Sequence, residues 1–322
     1  MKPKIFVTRI LPELVMERLN EHFIVNVNPE DRALTKEEIM LGVLDCDILL
    51  CLLSDIIDSE ILICNPDLKG IVNYAVGYNN IDLKYATKLK IPVTNTPGVL
   101  TETTADMAWA LIFSVARKIV EADKFVREGK FKGWAPKLFL GADIFGKTIG
   151  IIGAGRIGTA VAKRAAGFNM KVLYHDHNSD IEQDIEAEKV DLKFLLQTSD
   201  FVSLHVPLLA DTIHLIGENE LKMMKKTAII INTSRGAVVD EEILLRALQQ
   251  NWIAGAGLDV YEDEPKITNG LINCDNAVLA PHIASASVET RTKMGFIALE
   301  NAIAICHGKY PPQIVNREIY ES

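Results

Sequence analysis

The chain has 322 residues, of which 48 % are hydrophobic, 24 % charged and only 7 % aromatic, and its formal net charge is −9. This balance describes a globular protein of about two domains and excludes disordered, fibrous and membrane-embedded classes. An acidic chain without a basic run suits neither nucleic acid nor an anionic membrane, and the apolar run in "MKPKIFVTRILPEL" is too short for a signal peptide, so a cytoplasmic protein acting on a small molecule is expected.

From the N-terminus, strand-like and helix-like segments alternate. "KIFVTR", "FIVNVN", "CDILLCLL", "GIVNYAV" and "IPVTNT" read as strands, and helical runs over residues 11–22, 35–44, 58–68 and 83–89 separate them. Strands and helices in this alternation predict a doubly wound parallel sheet. The turn dipeptide Pro97-Gly98 closes this unit. "TETTADMAWALIFSVARKIVEADKFVREGKF" then carries one long helical pattern, with Thr101 as its N-cap and its end near Phe131.

"KTIGIIGAGRIGTAVAKRAAGFNMKVLYHD" follows, with Gly153, Gly155 and Gly158 in the spacing G-x-G-x-x-G between an apolar strand and a helix. Gly153 allows the tight turn, Gly155 lets a pyrophosphate approach bare backbone, and Gly158 lets helix and strand pack closely. Three glycines alone are ordinary turn chemistry. A second strand here ends in Asp176, about 20 residues on, where an acid holds a ribose 2′-hydroxyl. The set predicts dinucleotide binding, and a carboxylate that repels a 2′-phosphate favours NAD(H), with NADP(H) possible beside the polar His177 and Asn178.

"FVSLHV", "TAIIINTS", "IAGAGLDV" and "NAVLAP" continue as strands, with helical runs over 218–225 and 240–251, and residues 179–190 carry no readable pattern. A last helix over 287–307 runs into "GKYPPQIVN", whose prolines are expected to end it. The α/β fold therefore predicts two doubly wound domains: residues 1–99 with 288–322, and a nucleotide domain, 100–287, inserted between them. Ligands bind outside the carboxyl ends of such strands, so cofactor and substrate are expected in one cleft. Cys46, Cys51, Cys64, Cys274 and Cys306 lack C-x-x-C spacing and are expected to be reduced structural thiols, with no metal site.

Three strand ends carry the polar residues that such a cleft needs. Arg235 follows "IIINTS", and its guanidinium can clamp a carboxylate with two parallel hydrogen bonds; by itself, a lone Arg is more often a surface ion pair. His282 follows "AVLAP", and histidine suits proton exchange at neutral pH, although a single His after a proline is commonly structural. Glu264 in "YEDEP" can fix the tautomer of an imidazole, or can be one member of a solvated acidic turn.

"GIIGAGRIG", "LHVPL", "INTSRGAVVD", "GLDVYEDEP" and "LAPHIASAS", in this order, resemble the D-isomer-specific 2-hydroxyacid dehydrogenase family over nearly the whole chain. The resemblance implies a Rossmann NAD-binding domain inserted into a flavodoxin-like substrate domain, a homodimer formed through the NAD-binding domain, and a catalytic set falling on Arg235, Glu264 and His282. It also implies that the backbone of Arg156 and Ile157 meets the pyrophosphate, and that Thr104, Val206, Pro207, Thr212, Thr233 and Asp259 line the adenosine and nicotinamide portions. On the substrate side it implies the backbone of Val76 and Gly77 in "AVGYNNID", with Leu53 and Ser285.

Within the family, "LLCLLSD", "TETTADMAWALI", "KGWAPKLFLGADIFGKTIGIIG" and "PHIASASVETR" resemble glyoxylate and hydroxypyruvate reductases, which implies reduction of a short 2-oxo acid to a D-2-hydroxy acid. In that subgroup a Trp at the position of Trp134 reaches across the dimer into the partner's site; the plain alternative is a core tryptophan. "LLSDII" lacks the Arg usual in phosphoglycerate dehydrogenases, and Glu264 stands where formate dehydrogenases usually have Gln. Two other readings stay open: a nucleotide-sensing interaction protein like the corepressors of this fold, and a dehydrogenase for larger D-2-hydroxy acids.

Overall fold

The computed structural model describes residues 2–321. The chain divides into two compact units, one made of the residues up to Leu100 with those from Ala286 onward, the other running from Thr101 to Ser285.

In the first unit the strands are β1 (Lys4–Val7), β2 (Ile24–Val27), β3 (Ile48–Cys51), β4 (Gly70–Asn73) and β5 (Val93–Thr94). They pair in parallel in the order β2-β1-β3-β4-β5, the flavodoxin-like order. The helices between them are α1 (Glu13–His22), α2 (Lys36–Val43), α3 (Ser59–Ile63) and α4 (Leu83–Lys88). Strands β3 and β4 are buried along their whole length because helices cover both faces, which is why they read as unbroken apolar runs. Ile5, Val7, Ile48 and Leu50 face one cluster, Phe6, Leu49 and Cys51 the other, as a period of two requires. Side-chain caps start the helices: Thr35 and Glu38 form a capping box on α2, and Asp58 and Asp82 cap α3 and α4.

The second unit holds α5 (Thr101–Ala116), α6 (Ile119–Arg127), β6 (Thr148–Ile152), α7 (Arg156–Ala165), β7 (Lys171–His175), β8 (Glu188–Lys189), α8 (Leu192–Thr198), β9 (Phe201–Leu204), α9 (Glu218–Met223), β10 (Ile229–Asn232), α10 (Glu241–Gln249), β11 (Gly255–Leu258) and β12 (Ala277–Leu279). Its sheet runs β12-β11-β10-β9-β6-β7-β8, all parallel. That is the Rossmann order with one strand added, and strand order reverses between β6 and β9. The last helix, α11 (Val288–Cys306), belongs to the first unit and packs on α1 and β4.

Three expectations need correction. The helical pattern over 101–131 is two helices, because Lys118 (φ 53) turns left-handed between α5 and α6, and Thr101 is the first helical residue, not the cap. The returning chain explains the break: the Ala142 N–H donates to the Ala116 carbonyl at 2.8 Å, and a Cβ on Gly141 would lie 2.1 Å from that oxygen. Residues 179–190 include the edge strand β8. Gly308 (φ 63), not a proline, ends α11, with the Lys309 N–H reaching back to the Ala304 carbonyl at 2.9 Å.

Candidate active site

The glycine turn after β6 shows three different constraints. Gly153 takes φ 99, and a Cβ there would sit 2.7 Å from the His205 carbonyl carbon; a Cβ on Gly158 would lie 2.0 Å from the Gly153 oxygen. A Cβ on Gly155 would meet nothing within 4 Å, and Gly155 caps α7 with no side-chain bond. The first-turn N–H groups of Arg156 and Ile157 thus border open space at the positive end of a helix, which fits a pyrophosphate.

Asp176, at the end of β7, ties this turn down. Its Oδ2 accepts the Ala154 N–H at 2.7 Å, and its Oδ1 accepts those of Asn178 and Ser179 at 2.7 and 2.8 Å. Burial pushes the carboxyl up, but these three N–H donors outweigh it and hold Asp176 below its ordinary value. It stays ionised and in one orientation, and a carboxylate has about four lone-pair sites, so capacity for a ribose hydroxyl is left.

The loop after β9 carries His205, Val206, Pro207 and Thr212. Burial pulls His205 down to about 3, and its Nε2 lies 2.8 Å from the Ser203 hydroxyl. The Thr212 hydroxyl donates to the Pro207 carbonyl at 2.6 Å and accepts the Leu209 N–H at 2.7 Å, so it shapes the loop. Thr104 is buried in α5. Thr233, just after β10, is also buried, and its hydroxyl has no hydrogen-bond partner among the described residues. A buried hydroxyl is costly unpaired, and a bound dinucleotide is a group that can satisfy it.

An Asn232 turn then presents Arg235. The Asn232 Oδ1 accepts the Ser234 N–H and hydroxyl at 3.0 and 2.8 Å, while its Nδ2 donates to the Arg235 carbonyl at 2.9 Å. Asn232 carries no apolar or motif signal, and the one mark it leaves in the sequence is Asn at a strand end, which favours an Asx turn. A Cβ on Gly236 would lie 1.8 Å from the Tyr261 carbonyl carbon, so the Arg235 turn is pressed against the chain leaving β11. Burial lowers the Arg235 guanidinium from its ordinary value, and the charge of Glu264 opposes that shift.

Beyond β11 the remaining groups come together. The His282 Nδ1 lies 2.8 Å from Glu264 Oε2, and Glu264 Oε1 accepts the Tyr261 N–H at 3.0 Å. Burial raises Glu264, but His282, the Tyr261 N–H and the charge of Arg235 together hold it below its ordinary value. An ionised Glu264 accepts a hydrogen bond from Nδ1–H, which leaves Nε2 as the nitrogen that exchanges a proton. The resemblance gives Asp259 to the cofactor; here it is fully buried, and its oxygens accept the Ile283 and Ala284 N–H groups at 2.8 and 2.7 Å. Asp259 therefore holds the segment that carries His282, whose backbone is left-handed (φ 55).

Leu53, Val76 and Gly77 lie in the first unit, at the carboxyl ends of β3 and β4. The Asn95 Nδ2 donates to the Val76 carbonyl at 2.7 Å, and in a planar trans peptide this turns the Gly77 N–H the opposite way. Ser285 ends the second unit and is half-buried. Trp134 is 86 % exposed, beside Gly133 at φ 134, which removes the core-tryptophan alternative. Burial pushes the Cys46 thiol up to about 12 and Cys306 up to about 11, so neither is poised as a nucleophile. Among the described residues no helix is long and apolar enough to cross a membrane, and no three His, Cys, Asp or Glu residues group as metal ligands.

The model of the D-isomer specific 2-hydroxyacid dehydrogenase NAD binding domain matches residues 109–284. A glyoxylate reductase of Korarchaeum cryptofilum is 53 % identical over 99 % of this chain and 97 % of its own. Among solved structures, a protein of Thermus thermophilus superposes with a TM-score of 0.91 at 41 % identity, covering 97 % of this chain and 99 % of its own. The NADPH-dependent glyoxylate/hydroxypyruvate reductase of Sinorhizobium meliloti, solved with NADP and malonate, gives 0.86 at 31 % identity, covering 98 % and 97 %.

Proposed function

This chain belongs to the D-isomer-specific 2-hydroxyacid dehydrogenase family, and we propose that it reduces a short 2-oxo acid, glyoxylate or hydroxypyruvate, to glycolate or D-glycerate with NAD(H). The observation that carries this reading is the 2.8 Å contact between His282 and an ionised Glu264, in the unit that also presents Arg235 and the glycine turn. The glyoxylate reductase named above supports the substrate class.

When bound, the nicotinamide supplies a hydride to C2 of the oxo acid. Arg235 takes the substrate carboxylate in its planar fork and polarises the neighbouring carbonyl. His282 gives the proton on Nε2 to the carbonyl oxygen, and Glu264 keeps the imidazolium available by accepting its Nδ1–H. Asp259 acts indirectly, by fixing the backbone on which His282 sits. Leu53, Val76, Gly77 and Ser285 are the proposed further substrate contacts, carried by the resemblance.

NADH is the proposed preferred cofactor, since Asp176 stays ionised near the ribose position. With glyoxylate as substrate, kcat/KM for NADH should exceed that for NADPH by roughly tenfold, which corresponds to ~1.4 kcal/mol. Comparing the two cofactors across a panel of oxo acids tests the whole reading. A preference for NADPH would turn Asp176 away from the ribose, and no activity on any short oxo acid would refute the assignment.

A homodimer is supported by a run of exposed apolar residues in the second unit. Helix α6 buries none of its residues, and Ile119, Val120, Val126, Phe131, Trp134 and Leu140 are all exposed. In this reading Trp134 narrows the partner's pocket. Trp134→Ala should leave NADH affinity unchanged while raising activity on longer oxo acids relative to glyoxylate; an unchanged substrate profile removes Trp134 from the pocket. Five free cysteines support the cytoplasm as the compartment.

A further inference from the structure

Outside the Arg235, Glu264 and His282 set, one histidine of the second unit bonds to both turns that carry the proposed chemistry. His214 lies in the segment that follows β9, two residues after Thr212, with its backbone in the left-handed region (φ 50). Its N–H donates to the Ala237 carbonyl at 2.8 Å, two residues beyond Arg235. The Ile216 N–H continues this with a bond to Val238 at 3.1 Å, and the Asp240 N–H returns one to Ile216 at 3.1 Å. On the side-chain face, the His214 Nε2 lies 2.7 Å from Glu262 Oε1, and its Nδ1 lies 3.9 Å from Asp240 Oδ2.

Glu262 is held from behind. Its N–H donates to Glu241 Oε2 at 2.9 Å, and Glu241, almost fully buried, also accepts the Thr268 N–H at 2.7 Å. Two residues along the same turn, Glu264 meets His282. A left-handed backbone is unfavourable for a residue with a side chain and persists where its surroundings over-determine it. Here those surroundings are the Arg235 turn on the main-chain side and the Glu264 turn on the ring side.

We propose that His214 is a positioning residue, which clasps the segment carrying Val206, Pro207 and Thr212 onto the two turns that present Arg235 and Glu264. The proposal rests on the reading of this site as an NADH-dependent reductase. The His214 side chain is 40 % exposed, and polar pairs so placed add little to stability. Its effect therefore belongs in cofactor affinity and turnover, through the register of loops that must agree to within a fraction of an ångström.

The test uses the full chain, with NADH affinity from fluorescence and steady-state kinetics on hydroxypyruvate. His214→Ala should weaken NADH binding roughly tenfold and lower kcat by about the same factor, with little change in the KM of the oxo acid or in Tm. His214→Gln, whose amide can donate to Glu262 from nearly the same place as Nε2, should recover most of both losses. Wild-type constants in His214→Ala would overturn the proposal. So would equal damage in both variants with a lowered Tm, which would make His214 a residue of the fold. A wild-type protein that binds NADH but reduces no oxo acid would refute the proposed reaction, while the NADH-affinity comparison would still decide the role of His214.

Discussion

His282→Asn should lower kcat by roughly 100- to 10,000-fold, the usual contribution of a positioned general acid, while NADH affinity stays near wild type. Asparagine is the informative replacement because it tolerates the left-handed backbone that His282 adopts. The Asp259 bonds to Ile283 and Ala284 use main-chain N–H groups, so they survive the change. The glycine turn is closed by Asp176 and owes nothing to His282. What is lost is the proton on the imidazole that Glu264 orients. Steady-state kinetics beside a fluorescence titration with NADH separate the two effects. Near-native turnover would take His282 out of the mechanism.

Arg235→Ala should lose about 30- to 5,000-fold in kcat/KM, since removing one partner of a buried, hydrogen-bonded charge pair costs about 2–5 kcal/mol. The loss should appear chiefly as a raised KM for the oxo acid, because the guanidinium holds the carboxylate before and during reaction. Arg235→Lys should regain only part of it, as an ammonium offers charge without the planar fork. The turn itself should persist, because Asn232 and the packing of Gly236 on Tyr261 do not depend on the Arg235 side chain. A variant with an unchanged KM for glyoxylate and hydroxypyruvate would show that the carboxylate binds elsewhere.

Much of the fold was legible because parallel strands covered on both faces are buried along their length and so mostly apolar, as "IIIN" in β10 and "FVSL" in β9 are. Strand β8 was not, since its two residues, Glu188 and Lys189, are exposed at a sheet edge and leave no hydrophobic signal. The helix break at Lys118 was hidden for a different reason: apolar residues recur on both sides of it, and what ends α5 is a carbonyl taken by Ala142, far along the chain. At the site, Arg235, Glu264 and His282 stood out as polar residues at the ends of apolar strands. The work of Asp259 and His214 was invisible because it consists of bonds to Ile283, Ala284, Ala237 and Glu262, which only the folded chain brings near.

Reduction of a short 2-oxo acid with NAD(H), with the new hydrogen delivered to one face, is measured by incubating the purified protein with NADH and hydroxypyruvate. Loss of NADH absorbance and the configuration of the glycerate formed are then measured together. NADH should disappear in step with the oxo acid, and the product should be D-glycerate. L-glycerate, or NADH left unconsumed, would overturn the assignment as a D-2-hydroxyacid-forming reductase.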